Sequence, residues 1–194
     1  MSHFKHIFGI SIVVSILVLM RISCWLPWFP SVSESRAEEV RAPREMPPPE
    51  NSLAIWDDPG EVVTKYDRHI MAAAHTYNID PCLVKAIIHA ESRFDPRALS
   101  PRGAMGLMQI SPDIARELNV SEFYHPKKNI YAGVKYFRSL LDLFDGSYVL
   151  AVAAYNAGSN SVYASRGVPP FQETRLFVSR VFQYFNYYRQ NGWG

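Results

Sequence analysis

Glu91 is the residue whose type and position together suggest acid–base chemistry. Leu83, Ile87 and Glu91 recur at intervals of four within a helical stretch, so the carboxyl falls on the same stripe as two apolar side chains. Loss of water on that stripe disfavours the ionised form. The negative end of a helix dipole at the C-terminal turn acts in the same direction, so both effects raise the pKa. A glutamic acid that keeps its proton near neutrality can protonate a leaving oxygen, the requirement of glycoside cleavage. Helical spacing by itself leaves a second reading open, in which Glu91 is a solvated residue at a frayed helix end or a partner of Arg93.

Several elements must position this carboxyl. Asp80-Pro81 supplies an N-cap followed by proline at the first helical position, so the helix that carries Glu91 begins there, and Asp95-Pro96 is expected to stop it. Residues 64–77 read as a preceding helix ending at Asn78, which tolerates a left-handed cap. Ser111-Pro112-Asp113 repeats the cap-then-proline device for a helix over 114–118. A longer helix is expected over 129–144, with Ile130, Val134, Phe137 and Leu141 at core spacing. Another runs over 147–155, stopped by Asn156-Ala157-Gly158. In a last one, over 173–188, the aromatic and aliphatic stripe of Phe177, Val181, Phe185 and Tyr188 reads as packing. With little strand-type alternation and no internal repeat, the fold class is expected to be all-α.

The motifs that follow Glu91 close the ambiguity. Glu91-Ser92-Arg93-Phe94-Asp95-Pro96, then Ser100, then the run from Gly103 through Gly106, Gln109 and Ser111 to Pro112 are followed by three further groups. These are Asn129-Ile130 with Gly133, then Ala154-Tyr155-Asn156-Ala157-Gly158, then Glu173-Thr174-Arg175 with Val178. In this order they resemble the soluble-type lytic transglycosylase (SLT) domain, a lysozyme-like fold, over most of residues 67–190. The resemblance implies that Glu91 is the catalytic acid and base and that Ser100 and Gln109 contact the N-acetylmuramoyl unit. It further implies that Tyr155 and Asn156 line the cleft and that Glu173 lies near the reacting sugar. The side chains suit these roles, since Gly103 and Gly106 would let backbone approach the sugar, Gln109 can donate to and accept from an acetamido group, and Tyr155 can stack on a pyranose. Two positions depart from the pattern: His125 stands where the family has Asp before Pro126, and Phe177 stands where Tyr is common.

Hydrolytic glycosidases use two carboxylates, whereas here only Glu91 sits in a catalytic-type motif. The implied reaction is therefore cleavage of the MurNAc–GlcNAc β-1,4 bond of peptidoglycan without water, leaving 1,6-anhydroMurNAc ends and requiring no cofactor or metal. The alternatives are a hydrolytic muramidase with Glu173 or Asp95 as second carboxylate, and a non-catalytic glycan-binding component of an envelope-spanning assembly. A chain with one catalytic domain and no separate wall-binding domain fits a local, partner-directed role.

Composition sets the outer bounds. The 194 residues, 48% of them apolar, have room for one packed domain plus non-globular sequence. A net charge of +2 with scattered Lys and Arg gives no nucleic-acid footprint. Two cysteines, Cys24 and Cys82, and six dispersed histidines form neither a disulfide framework nor a metal-ligand pattern. Residues 7–20 form an apolar run behind Lys5 and His6, so residues 1–26 read as a signal peptide or membrane anchor that places the rest on the periplasmic side of a bacterial envelope. Cys24 follows Ile22-Ser23 as in a lipoprotein box, but Arg21 occupies a position that such boxes fill with an aliphatic residue. Cleavage near Ser31-Val32-Ser33 and retention as an anchor both remain open. Residues 27–59 hold half of the 14 prolines and read as a linker. Residues 60–194 are expected to form the catalytic domain, a monomer whose partners are peptidoglycan strands and, through the N-terminal segment, the membrane.

Overall fold

A computed structural model describes residues 63–193, all of them within a unit comprising Pro47–Gly194. The segment expected to reach the membrane, Cys24 and the whole linker lie outside the described residues. Seven helices form the described part: α1 (Asp67–Tyr77), α2 (Pro81–Ser92), α3 (Pro112–Glu117), α4 (Pro126–Leu143), α5 (Tyr148–Ala157), α6 (Ser159–Ser165) and α7 (Gln172–Gln190). Among the described residues there is no strand, and no helix is long and apolar enough to cross a membrane. The chain has the expected all-α architecture.

Cap chemistry sets most boundaries. The Asp80 carboxylate accepts from the Cys82 N–H at 2.8 Å and Pro81 occupies the first position of α2. Ser111 and Ser147 accept from Ile114 and Leu150 in the same way. α4 begins at Pro126, three residues before the expected start, because His125 serves as its N-cap, Nδ1 accepting from the Lys128 N–H at 3.5 Å. α1 begins at Asp67 rather than residue 64, since Thr64 donates both its N–H and its hydroxyl to the Asp67 carboxylate and so lies outside the helix. α2 ends at Ser92, ahead of Asp95-Pro96: Arg93 and Phe94 are both left-handed, at φ 50° and 64°, and turn the chain sharply. α6 was not expected from the sequence; it restarts the chain beyond Gly158, whose φ is 81°.

α2 is the central element, buried without interruption from Cys82 to His89, the mark of a helix enclosed on all sides. It packs most extensively against α7 and also against α1, while α5 lies against α4, α6 and α7. Two polar residues inside this core are matched. Lys85, with a fully buried side chain, bonds both Asp67 oxygens at 2.9 and 3.1 Å, and its Nζ sits 3.9 Å from the Trp193 ring centroid. His89 stacks on Tyr184 at 3.8 Å and pairs through Nδ1 with the Tyr188 hydroxyl at 2.8 Å.

Candidate active site

Glu91 is the penultimate residue of α2, directly before the left-handed turn. Leu83 and Ile87 on its stripe are fully buried. Its own side chain is only partly exposed, and no hydrogen bond to its carboxyl occurs among the described residues. Burial, reinforced by the charge of Glu173 and opposed by Arg180, pushes it up to about 8. A carboxyl without donors and with weakened hydration favours the protonated form.

The loop over residues 98–110 is tied to α2 at Ser92, the residue after Glu91. Two isolated antiparallel bridges, Leu99 with Met105 and Met105 with Ile110, fold it on itself. Three helices hold it by side chains. Ser92 of α2 donates to the Leu107 carbonyl at 2.8 Å, and Tyr155 of α5 donates to the Met108 carbonyl at 2.8 Å. Asn129 of α4, only 1% exposed, accepts from the Met108 N–H and donates to the carbonyls of Met105 and Phe123. Every one of these loop groups is thereby paired, as buried backbone must be. Two glycines allow the approach: a Cβ on Gly106 (φ 78°) would lie 2.4 Å from Asn129 Nδ2, and one on Gly133 would lie 2.5 Å from Met108 Sδ. Gly106 therefore serves close packing of the loop onto α4. Gly103, at φ 81°, serves the turn of the loop.

Ser100 accepts the Ala104 N–H at 2.9 Å on its Oγ, closing the loop's tip. Gln109 is left-handed at φ 47°, and its Nε2 donates to the carbonyls of Gly106 at 2.9 Å and Ala98 at 3.2 Å. Its donors are thus turned into the loop, and the amide oxygen is the group left for a ligand. Tyr155 packs against Tyr136 and Phe137 at 5.5 and 6.0 Å. Burial and the Glu91 charge hold its hydroxyl well above the usual tyrosine range.

The start of α7 meets the same loop and acts on Glu91 by charge. Glu173, exposed in its first turn, pairs with Arg102 of the loop at 3.4 Å. Asn156 accepts from the buried Thr174 hydroxyl at 2.8 Å, fixing the end of α5 to that same turn. The structure thus brings Tyr155 and Glu173 within electrostatic reach of Glu91. Ser100 and Gln109 sit in the loop that α2, α4 and α5 tie down.

Sequence reasoning overlooked Arg180 and gave Asn129 no role. Arg180 follows Glu173 by seven residues on α7, two helical turns, so both fall on the face toward Glu91, and that spacing was a usable signal. Asn129 carried a weaker one, a polar residue beside the core position Ile130.

A family model described as "Transglycosylase SLT domain" matches residues 68–177. The "Transglycosylase" of Enterobacteria phage PRD1 is 44% identical over 91 residues, which is 47% of this chain and 34% of that protein. "Membrane-bound lytic murein transglycosylase F 1" of Alkalilimnicola ehrlichii is 34% identical over 108 residues, 53% of this chain and 22% of its own length. The chain thus spans about a third or less of these relatives. Among solved structures, the 70 kDa soluble lytic transglycosylase from Escherichia coli superposes with a TM-score of 0.59 at 29% identity, covering 65% of this chain and 24% of that one. An inactive glutamate-to-glutamine mutant of the lytic transglycosylase Slt from Pseudomonas aeruginosa gives 0.58 at 29% identity, covering 64% and 24%.

Proposed function

Because the chain belongs to the transglycosylase SLT domain family, with a lysozyme-like fold, we propose that it is a peptidoglycan lytic transglycosylase with Glu91 as its sole acid and base. The observation that carries this reading is the environment of Glu91: a carboxyl at the end of a buried helix, without hydrogen-bond donors among the described residues, pushed up to about 8. Such a group holds its proton until the glycosidic oxygen between MurNAc and GlcNAc takes it. As the bond breaks, an oxocarbenium-like centre develops on the muramoyl C1, and Glu91 is left ionised. Glu91 then removes the proton of the 6-hydroxyl, whose oxygen closes onto C1. The hydroxyl is held beside C1 by the sugar ring itself, and such intramolecular reactions reach effective molarities of about 10⁵–10⁸ M. Water has no comparable advantage.

Glu173 is exposed and paired with Arg102, which suits a charge that tunes Glu91 better than a second base held against a water. Ser100 and Gln109 are assigned to the muramoyl unit, with the Gln109 amide oxygen facing the substrate. Tyr155 and Asn156 are assigned to the cleft, and the Asn156 amide nitrogen has no protein partner among the described residues. The inactivity of the mutated neighbour from Pseudomonas aeruginosa supports the importance of a glutamate in such proteins. The names of the relatives support a place at the cell envelope. Residues 1–26 are assigned as signal or anchor, 27–59 as linker and 60–194 as the catalytic domain, on the sequence alone.

Product analysis tests the reading. Digestion of purified sacculi is expected to release muropeptides ending in 1,6-anhydroMurNAc, resistant to borohydride. Reducible muramic acid ends would replace it with a muramidase using a second carboxylate, Glu173 first. Binding without release would indicate a glycan-binding component.

A further inference from the structure

We propose a second binding site for the wall polymer, a cationic groove that takes the carboxylates of its stem peptides; this rests on the peptidoglycan reading above. The groove, of about 500 Å³, lies where the start of α1 meets Pro96-Arg97 and the entry to α4, and no residue of the Glu91 site lines it. Lys65, His69 and Arg97 line it together with Tyr66 and Tyr124, and no acidic residue does.

Among the described residues, the charged ends of Lys65 and Arg97 and the His69 ring make no ion pair or hydrogen bond; Lys65 Nζ lies 5.3 Å from the Tyr66 ring centroid. Among the described residues, the neighbouring acids have partners of their own and none lines the groove. Asp67 is directed inward to Lys85 and Trp193. Asp95 accepts the Arg97 backbone N–H at 2.8 Å, and Glu122 pairs with Lys128. Unpaired cations on a concave surface focus a positive potential and raise the local concentration of anions. Tyr124, 45% exposed, adds an apolar face for the peptide chain.

Reach fits a peptide hanging from a sugar at Glu91. Arg97 follows Glu91 by six residues, and the left-handed turn at Arg93 and Phe94 between them keeps the two inside the extended limit of about 20–22 Å at about 3.3–3.6 Å per residue. An extended peptide of about five residues covers about 17 Å on the same scale. The groove would thus favour strands that still carry acidic stem peptides over naked glycan.

The test uses the full chain and a Lys65→Gln/Arg97→Gln double variant, two exposed positions outside the catalytic machinery. Both are assayed for turnover on intact sacculi and on glycan strands stripped of peptides by an amidase. Binding to both substrates is measured by sedimentation in a Glu91→Gln background, so that it does not depend on turnover. The expected result is a rise in apparent KM and Kd of about three- to tenfold on intact sacculi, with stripped strands unaffected. An equal loss on both substrates, or no loss on sacculi, overturns the groove. So does weakened binding to vesicles containing phosphatidylglycerol while sacculi are unaffected, which would assign the cations to lipid phosphate. Absence of any product from either substrate with the unsubstituted chain would overturn the proposed reaction, and the sedimentation ratio would still decide the groove.

Discussion

The Tyr155 hydroxyl donates to the Met108 carbonyl at 2.8 Å, joining α5 to the loop that carries Gln109. Met108 is fully buried, so its carbonyl has no solvent to turn to when that donor is removed. Tyr155→Phe keeps the ring packed on Tyr136 and Phe137 but strands the carbonyl, at about 1–3 kcal/mol. The expected outcome in urea denaturation is a lower midpoint with an unchanged slope, accompanied by reduced lysis of sacculi as Gln109 loses its fixed position. A variant as stable and as active as the parent would show that this bond holds nothing in place.

Glu91 should make stability depend on pH in a defined direction. Its pKa is about 8 in the fold against an ordinary 4.5, so across that interval the folded chain keeps a proton that the unfolded chain has released. Stability therefore falls as pH rises from near 4.5 and levels off above about 8. Glu91→Gln removes this slope. The variant is expected to lose activity by about 10²–10⁴-fold and to gain stability relative to the parent as pH increases, with about 1.4 kcal/mol per unit as the ceiling. Parallel melting-temperature curves from pH 4 to 9 would contradict the burial of this carboxyl. Glu173→Gln removes a charge that raises Glu91, so the alkaline limb of the activity profile is expected to move to lower pH.

Lys85 is a buried charge, and its pairing with Asp67 at 2.9 Å fastens α2 to α1. Burial alone would raise Asp67, but hydrogen bonds from Thr64, Lys85 and Trp193 outweigh it and hold the carboxyl below its usual range. Lys85→Met leaves that carboxylate without its cation, and a loss of about 3–5 kcal/mol is expected in chemical denaturation. Adding Asp67→Asn should restore part of it, since the stranded charge then disappears. A loss below about 1 kcal/mol for the single variant would mean that the pair is solvated.

What the sequence determined by itself is the set of elements whose signals are local. Asp80-Pro81, Ser111-Pro112 and Asn78 act on backbone groups within a few residues, and the helices begin or end where those residues stand. The spacing of Leu83, Ile87 and Glu91 likewise put the carboxyl on a buried stripe, because helical periodicity needs no knowledge of the partner. Tertiary structure decided the rest. Which side chains tie residues 98–110, and that Gly106 faces Asn129, depend on contacts 15 to 47 residues apart. Likewise, the field on Glu91 comes from Glu173 and Arg180 only because α7 packs along α2. Charges act through space, and their distances are set by packing that no local pattern encodes.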